Sequence, residues 1–286
     1  MRVCGFSFIR NGMKFDYPFR EALLSIVPIC DEIFVAVGNS EDDTLNAVRS
    51  LHPKIKVIET VWDDSIKTGG KVLAVETDKA FQAIPAMYDW AFYIQGDEVL
   101  HEKYIPVVKR ALEENLNEKN VDGLLFNYLH FFGSYDYVGA KLSWYRREVR
   151  VVRNNKKIYS YRDAQGFRKD NNIKLDTKLI DAWIYHYGWV RTPQAMLSKI
   201  KSSKQLYCGD DATRDVEFEY NESHEPVVRF DGTHPLLMND RIQQKNWNFI
   251  PNENLQTLSL KNKIRRMIAN LTGWIPGEYR NYRLVK

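Results

Sequence analysis

An apolar segment that ends abruptly in acidic residues is the part of the sequence best suited to carry chemistry. Residues 90–94 read Trp-Ala-Phe-Tyr-Ile, and residues 95–98 read Gln-Gly-Asp-Glu. A hard cation such as Mg²⁺ or Mn²⁺ can bridge one or two carboxylates to the phosphate oxygens of a nucleotide. Held in this way, the cation would stabilise a diphosphate leaving group. The alternative role for Asp97 and Glu98 is to cap a helix predicted to begin near residue 101.

Alternating strands and helices must position this segment. Strands are predicted over residues 3–9, 33–37, 55–58 and 90–94, and helices over residues 17–29, 44–51 and 71–84. Such alternation with short connections predicts an α/β fold, in which helices flank a mostly parallel sheet. Ligands bind beyond the carboxyl ends of the strands in such sheets. Because Arg10, Asn11, residues 39–43 and residues 95–98 each follow a strand, we expect them to gather along one edge.

The pattern changes in the second part of the chain. Strands are predicted over residues 121–132, 148–153 and 182–187, and a helix over residues 192–207 with Pro193 in its first turn. The sequence therefore predicts one α/β domain over residues 1–207, made of the halves 1–110 and 111–207. A helical and irregular extension is predicted to follow over residues 208–286.

Cysteine usage and hydropathy indicate where the protein resides. The three cysteines, Cys4, Cys30 and Cys208, are far apart and form no Cys-x-x-Cys pair. A disulfide framework and a structural zinc site are therefore not expected, and a reducing compartment is. The sequence shows no signal-peptide pattern and no apolar run near the ~20 residues that a membrane helix needs. We expect a cytoplasmic protein whose membrane contact, if it has any, is peripheral.

Four segments of the first half occur in an order and spacing that resemble a known family. They are residues 5–11, 31–44, 69–80 and 89–99. Together they resemble the nucleotide-binding half of bacterial family 2 glycosyltransferases, which have the Rossmann-like GT-A fold. The resemblance implies transfer of a sugar from a nucleotide-diphosphate donor. The segment around Asp97 is similar to the family's metal-binding Asp-x-Asp sequence, so Asp97 is the implied ligand of Mn²⁺ or Mg²⁺.

The same resemblance implies which residues contact the donor. They are Arg10, Asn11, Asn39, Ser40, Asp42, Lys71, Gln95 and Asp97. Two positions depart from the family pattern. Gln95 stands where the first metal-binding acid is usual, which leaves Asp97 as the principal acid. The family's base-contacting acid aligns near Val37 and Gly38, so Asn39, Ser40 and Asp42 become the candidate contacts to base or ribose.

A histidine and an arginine from the half 111–207 are expected to complete the donor site. In GT-A enzymes a histidine from the later part of the domain often joins the metal site, and His186 fits this position. A strand histidine bonded to the backbone is the alternative for His186, and His234 is its rival as a ligand. Arg191 would pair with phosphate oxygens through its planar fork.

The acceptor reaction needs a base. An inverting transferase deprotonates the acceptor hydroxyl as that oxygen attacks the anomeric carbon. Asp163 is assigned this role because it lies between the arginine-rich strand and the His186 strand, where the family places its catalytic acid. The usual Glu-Asp pair is absent, and a turn or cap role for Asp163 is the alternative. His130 either faces the acceptor or is a hydrogen-bonded core histidine.

Positive charge is spread over the middle of the chain and concentrated at its end. Arginines 146, 147, 150 and 153 fall on both faces of one strand, and the net charge is only +4, so a nucleic-acid partner is not expected. From residue 258 onward there are seven Lys or Arg residues and one Glu. An apolar stripe runs through the same segment, at Leu260, Ile264, Met267, Ile268 and Leu271. This basic amphipathic helix either docks on its own domain or rests on an anionic membrane surface.

The sequence therefore predicts a metal-assisted glycosyltransferase of the hexosyltransferase type, acting on a glycan or lipid-linked acceptor. Inversion at the anomeric carbon is implied by the resemblance alone. A sugar nucleotidyltransferase is one alternative, although residues 10–14 match its Gly-rich, basic first loop poorly. The other alternative is a catalytically silent GT-A-like domain that binds a glycan or a partner protein.

Overall fold

The computed structural model describes residues 1–141, 143–213, 216–220, 225–251, 264–265, 267–268, 271 and 278–285. Within these residues the strands are β1 Val3–Ile9, β2 Glu32–Gly38, β3 Ile55–Thr60, β4 Trp90–Tyr93, β5 Glu98–Leu100, β6 Gly123–Phe132, β7 Ser134–Gly139, β8 Arg147–Arg153, β9 Ile158–Tyr161, β10 Gly166–Lys169, β11 Ile173–Lys174, β12 Asp176–Trp189, β13 Val227–Arg229 and β14 Arg283–Leu284. The α-helices are α1 Phe19–Ile26, α2 Thr44–Arg49, α3 Lys71–Gln82, α4 Ile105–Glu114, α5 Pro193–Cys208 and α6 Asn239–Gln243.

A large central sheet organises the molecule. The described strands follow the order β13-β7-β6-β8-β4-β1-β2-β3, with β12 beside β6 and with β5 and β14 beside β12. Strands β4, β1, β2 and β3 are parallel neighbours, as the α/β pattern predicts. From β8 onward antiparallel pairs appear, because β8 and β7 pair with β6 in the opposite sense. The predicted α/β class is confirmed. The first half of the chain supplies four parallel strands, and in the second half β12 is parallel to β6 and β14.

Both faces of the inner parallel strands β1 and β4 are buried. Alternate residues of β1 point to opposite sides, so Val3 and Ile9 pack with α1 and α4 while Cys4 and Phe6 pack with α3. The hairpin β9–β10 covers the same face as α3 through Ile158 and Phe167. Burial on both faces explains why these strands read as continuous apolar runs in the sequence.

The predicted extension contributes to this sheet. Strand β13 pairs with β7, and β14 pairs with β12, so segments beyond residue 207 add strands to it. Much of the predicted basic amphipathic helix, including residues 258–263 and 272–277, lies outside the described residues. Of its predicted apolar stripe, Ile264, Met267 and Leu271 are described as helical and exposed. No helix among the described residues is long and apolar enough to cross a membrane.

Candidate active site

Strand register brings Asp97 and His186 together. Asp97 lies in the turn between β4 and β5, and its carbonyl accepts a hydrogen bond from the backbone N–H of Tyr187 at 2.8 Å. In β12, His186 is paired with Glu98 of β5 on one side and with His130 of β6 on the other. As a result, Nε2 of His186 lies 3.7 Å from Oδ1 of Asp97. The two residues predicted to bind the metal are neighbours.

Positive charge surrounds the Asp97 carboxylate. Nζ of Lys199, on α5, lies 3.0 Å from Oδ2 of Asp97 and also donates to the Gly188 carbonyl at 2.8 Å. Burial by itself would raise the pKa of Asp97, but the charges of Lys199 and Arg191 hold it well below its usual range. Burial and the nearby charge of Arg191 lower the pKa of Lys199 to about 8. Asp97 is therefore an ionised carboxylate in a site that favours a further anion.

Gly188 is closely packed against both members of this pair. A Cβ atom at Gly188 would lie 2.5 Å from Nε2 of His186 and 2.9 Å from Oδ2 of Asp97. Contacts this short are essentially never seen for a real Cβ atom. The positions of the carboxylate and the imidazole therefore require a residue without a side chain at position 188.

Glu98 has a structural role beneath the site. The Arg150 guanidinium binds its carboxylate through two hydrogen bonds of 2.7 and 2.8 Å, and Tyr128 donates to it at 2.8 Å. Both charged side chains are fully buried. The following 3-10 helix, Glu102–Tyr104, is capped by His101. The capping alternative for Asp97 and Glu98 therefore does not hold: Asp97 faces the cleft, and Glu98 anchors β5 to β8.

Asp97 lies in the wall of a cleft of about 1160 Å³ at the carboxyl edge of β1 and β4. Five of the residues predicted from the sequence line this cleft, namely Arg10, Asn11, Gln95, Asp97 and Asp163. The cleft also has basic side chains that the sequence analysis did not single out, namely Lys14, Lys67, Lys199 and Lys201. Acidic side chains line the cleft as well, namely Glu41, Asp64, Asp97 and Asp163, so its wall carries charge of both signs.

One end of the cleft is aromatic. The Arg10 guanidinium lies 5.2 Å from the centre of the Trp62 ring, and its Nη1 bonds Asp64 at 2.7 Å. Phe8 and Leu73 line the cleft near Trp62. A planar, partly apolar group such as a nucleobase could pack here by stacking. Trp62 follows β3, so a strand end again supplies the functional side chain.

The polar residues after β1 and β2 hold each other in place. Asn11, with a φ of 54°, donates its backbone N–H to Ser40 Oγ at 3.0 Å and accepts from Glu41 N at 2.7 Å. Asn39 Oδ1 accepts from Trp62 N, and Asp42 accepts from Lys14 N at 2.6 Å. Asn39, Ser40 and Asp42 thus stabilise the loops that follow β1 and β2. Arg10 and Asn11 are the predicted residues of these loops that line the cleft. The role of the three as direct base or ribose contacts stays a prediction.

Lys71 lies elsewhere. It is the first residue of α3, is exposed, and is outside the cleft lining formed by the described residues. The backbone before it is tied to α5, because Gly69 N donates to the Tyr207 carbonyl and Gly70 N to the Leu206 carbonyl. This arrangement does not bring Lys71 into the cleft, and its contact with the donor stays a prediction.

Asp163 lies at the tip of the β9–β10 hairpin. Its neighbours Arg162 and Ala164 have positive φ values of 59° and 63°, which shows how tight the turn is. The Tyr207 hydroxyl donates to Oδ2 of Asp163 at 2.6 Å. Gln95 Nε2 donates to the Ala164 carbonyl at 3.1 Å and so ties the β4 end to this tip. The amide at position 95 therefore positions the loop of the predicted base.

Arg191 and His234 both form hydrogen bonds with other groups of the protein. Arg191 is fully buried and donates to the carbonyls of Phe15 and Gly188, and its guanidinium lies 4.6 Å from the centre of the Tyr17 ring. It contributes charge behind Asp97 and does not line the cleft, so direct phosphate contact stays a prediction. His234 bonds the Tyr187 hydroxyl at 2.8 Å and the Tyr135 carbonyl at 3.0 Å. His186, and not this rival, is the histidine beside Asp97.

The side chains of Asp97 and His186 suit a divalent cation that is also bound by a substrate. Among the described residues no cluster of three or more His, Cys, Asp or Glu side chains is arranged for a metal. Mg²⁺ and similar ions are nevertheless commonly bound by one or two protein ligands, with substrate phosphates and water completing the set. Asp97 and His186, with Oδ1 and Nε2 3.7 Å apart, meet that description. Lys199 supplies a fixed positive charge at the same carboxylate.

The fold and cleft define an α/β protein with a ligand site at the carboxyl edge of its parallel strands. No protein-family model and no curated protein matches the chain. Among solved structures, it is similar to S. aureus TarS 1–349 in complex with UDP-GlcNAc, with 12% identity and a TM-score of 0.39 over 71% of this chain and 65% of that one. It is also similar to Mycobacterium tuberculosis glucosyl-3-phosphoglycerate synthase in complex with Mn²⁺, UDP and glucosyl-3-phosphoglycerate, with 17% identity and a TM-score of 0.30 over 46% and 44% of the two chains.

A third similar structure is a 4-diphosphocytidyl-2C-methyl-D-erythritol synthase from Anaerococcus prevotii, with 8% identity and a TM-score of 0.30 over 54% of this chain and 71% of that one. The chain spans less than two thirds of the TarS and glucosyl-3-phosphoglycerate synthase structures named above. At these identities and scores, the likenesses do not decide between sugar transfer and nucleotidyl transfer. That choice rests on the chemistry of the cleft.

Proposed function

We propose that the protein is a glycosyltransferase that moves a sugar from a nucleotide-diphosphate donor to a hydroxyl of a glycan or lipid-linked acceptor. One observation carries the proposal. Asp97, an ionised carboxylate at the end of β4, lines the cleft together with Lys199, and its Oδ1 lies 3.7 Å from Nε2 of His186. A diphosphate fits such a place because cations can bind the carboxylate and the phosphates together.

The donor half of the mechanism uses charges that are already in place. Asp97 and His186 would hold Mn²⁺ or Mg²⁺, which when bound would neutralise charge on the diphosphate as it leaves. Lys199 lies on the same carboxylate and is placed to donate a hydrogen bond to a diphosphate oxygen. The base is assigned to the part of the cleft where the Arg10 guanidinium lies over the buried Trp62 ring. These groups favour departure of the anionic leaving group.

The acceptor half assigns the base to Asp163. The acceptor O–H bond breaks, and its proton passes to the Asp163 carboxylate. The acceptor oxygen forms a bond to the anomeric carbon, while the bond from that carbon to the diphosphate oxygen breaks and its electron pair leaves with the diphosphate. For this step the acceptor hydroxyl must replace Tyr207 as the donor to Asp163. Attack from the side opposite the diphosphate would invert the anomeric configuration, which NMR of the product measures.

The proposal is tested by ligand-induced stabilisation. The thermal midpoint is measured with a panel of nucleoside diphosphates and nucleotide sugars, each with and without Mn²⁺. We expect one nucleotide family to raise the midpoint in a metal-dependent way, and Asp97→Asn to remove the effect. Asp231→Asn, on an exposed loop, is the matched control and should respond like wild type. No stabilisation by any compound would contradict the proposal and favour the silent GT-A-like domain.

Nucleotidyl transfer gives a different signature in the same assays. It would release pyrophosphate from a nucleoside triphosphate and a sugar phosphate, whereas sugar transfer releases a nucleoside diphosphate from a nucleotide sugar. Product analysis by anion-exchange chromatography separates the two. Formation of pyrophosphate alone would replace the proposed reaction.

We also propose that the protein acts in the cytoplasm and contacts the inner face of the cell membrane through its basic C-terminal segment. All three cysteines are free, and two of them are buried, as suits a reducing compartment. Ile264, Met267 and Leu271 offer exposed apolar side chains in that segment. Flotation with anionic and with neutral vesicles tests the contact. Binding to the anionic vesicles that is lost when Lys261, Lys263, Arg265 and Arg266 are replaced by glutamate is expected, and no binding to either kind contradicts it.

A further inference from the structure

A second histidine lies directly behind the metal-binding candidate. His130, on β6, is only 5% exposed and is paired with His186 across the parallel β6–β12 ladder. Nδ1 of His130 lies 2.9 Å from Nδ1 of His186, and Nε2 of His130 lies 2.7 Å from the Tyr145 carbonyl oxygen. Both ring nitrogens of His130 therefore have a defined partner.

These two hydrogen bonds determine where the protons are. A carbonyl oxygen only accepts, so Nε2 of His130 must carry a hydrogen and donate it to Tyr145. In a neutral ring the other nitrogen, Nδ1, then holds a lone pair and can only accept. Its partner, Nδ1 of His186, must be the donor. A neutral His186 accordingly has its lone pair on Nε2, the nitrogen that faces Oδ1 of Asp97 across 3.7 Å.

The surroundings of His130 keep its ring neutral. The Trp144 ring stacks on it with centroids 4.8 Å apart and planes inclined by 28°, and the Tyr145 ring lies edge-on at 4.4 Å. Neither of its ring nitrogens is hydrogen-bonded to a carboxylate among the described residues; their partners are a carbonyl and a second imidazole. A charged imidazolium in this setting would lose its hydration without gaining a counter-ion at hydrogen-bond distance.

A lone pair on Nε2 facing a carboxylate oxygen is an arrangement that calls for a cation between them. Metal-binding histidines usually donate their other ring N–H to a fixed acceptor, which orients the ring and strengthens it as a ligand. That acceptor is normally a carboxylate, a carbonyl or water. In this protein the position is occupied by the Nδ1 atom of His130.

We propose that His130 is a positioning residue that sets the tautomer of His186, so that Nε2 of His186 is free to bind a divalent cation beside Asp97. The proposal rests on the proposed function and names a residue of that same site. His130 itself does not touch the substrate. It acts only through the ring of His186.

The tautomer is measured directly in the metal-free protein. NMR of protein labelled with ¹⁵N and ¹³C at histidine distinguishes a ring protonated at Nδ1 from one protonated at Nε2. Assignment uses the His186→Asn variant, which lacks the signal. We expect His186 to be protonated at Nδ1 and His130 at Nε2. The opposite tautomer at His186 would overturn the inference, whatever the protein's activity.

Two variants at position 130 test the consequence for metal binding. His130→Phe keeps an aromatic ring but removes the acceptor, and His130→Asn keeps an acceptor oxygen near the position of Nδ1. Titration with Mn²⁺ alone, followed by the electron paramagnetic resonance signal of free Mn²⁺, should show affinity about 10- to 100-fold weaker in His130→Phe, with most of it restored in His130→Asn. Equal Mn²⁺ affinity in wild type and His130→Phe would overturn the inference.

Failure of the proposed function is distinguishable from failure of this inference. Asp97→Asn is titrated in parallel. If Asp97→Asn lowers Mn²⁺ affinity and His130→Phe does not, the metal site is supported and the role of His130 is contradicted. If wild type does not bind Mn²⁺, the metal-assisted function is contradicted, and the NMR result still decides the tautomer. Thermal midpoints of both His130 variants show whether each one is folded.

Discussion

Replacement of Gly188 by alanine would displace the side chains proposed to hold the cation. The added Cβ atom would lie 2.5 Å from Nε2 and Cε1 of His186 and 2.9 Å from Oδ2 of Asp97, whereas ordinary contact begins at 3.4 Å. The imidazole would therefore have to move by about 0.9 Å, since metal–ligand distances tolerate only about 0.2 Å. Gly188→Ala should weaken Mn²⁺ binding at least as strongly as the loss of one ligand.

The expected cost in stability is similar in size to the cost in binding, but it is too small to unfold the protein. Overpacking of one methyl group costs about 1–3 kcal/mol, which lowers the thermal midpoint of a protein of this size by a few degrees. Loss of a ligand should weaken Mn²⁺ binding by about 100-fold, which corresponds to 2.7 kcal/mol of binding free energy. Because the variant stays folded, the two effects can be measured in the same preparation.

The assay is titration with Mn²⁺ in the presence of the nucleoside diphosphate that stabilises wild type most. Ser198→Ala is the matched control, because Ser198 lines the same cleft and its truncation removes an atom without adding one. The control should keep wild-type affinity. If Gly188→Ala binds Mn²⁺ as tightly as wild type, the cation does not lie between Asp97 and His186 and the steric reasoning is refuted.

Three further predictions concern the base, the cleft lysine and a buried acid. Asp163→Asn should lower kcat by about 10²- to 10⁴-fold while diphosphate affinity changes little, and retained turnover would remove Asp163 from the mechanism. Lys199→Met should weaken diphosphate binding by about 10- to 100-fold in calorimetry, as expected for a lost charge-assisted hydrogen bond. Lys199→Arg should keep part of the affinity. Unchanged binding in Lys199→Met would contradict the role of Lys199. Burial, only partly offset by Arg150, raises the pKa of Glu148 to about 8 from 4.5. The folded protein then keeps a proton that the unfolded chain releases, so the free energy of unfolding falls as pH rises from about 4.5 to about 8. Glu148→Gln should therefore be more stable than wild type at pH 8 by about 1–3 kcal/mol, with a smaller difference at pH 5. The same difference in unfolding free energy between the two proteins at all pH values would contradict this.

The sequence located Asp97 and His186 because local chemistry marks both positions. Asp97 follows an apolar strand directly, and strand ends meet at the ligand edge of a parallel sheet. His186 is a polar residue within an apolar strand. The prediction that they lie together came from a family resemblance, and the structure shows its physical basis in the pairing of β12 with β5 and β6.

The sequence analysis did not identify Lys199, because its partner Asp97 is 102 residues away. Nothing in the local sequence of α5 distinguishes it from the other lysines of that helix. One signal was present: Lys199 lies three residues after Met196, and side chains three apart share a helix face. Met196 is the buried residue of α5, so a lysine on that face points toward the interior.

The full length of one long strand could also not be predicted from local patterns. Strand β12 runs over Asp176–Trp189, longer than the predicted 182–187, because it pairs with β5, β6 and β14 along its length and contains register shifts. Its first residues, such as Lys178 and Asp181, carry polar side chains that read as a loop. Pairing with distant strands, and not local propensity, sets this length.

The most direct test of the central claim is the position of the metal. Crystals grown with Mn²⁺ and a nucleoside diphosphate are measured at a wavelength where manganese scatters anomalously. The account predicts one anomalous peak about 2–2.3 Å from both Oδ1 of Asp97 and Nε2 of His186, in contact with diphosphate oxygens. A diphosphate bound in the cleft with manganese absent from this pair, or bound elsewhere, would contradict it.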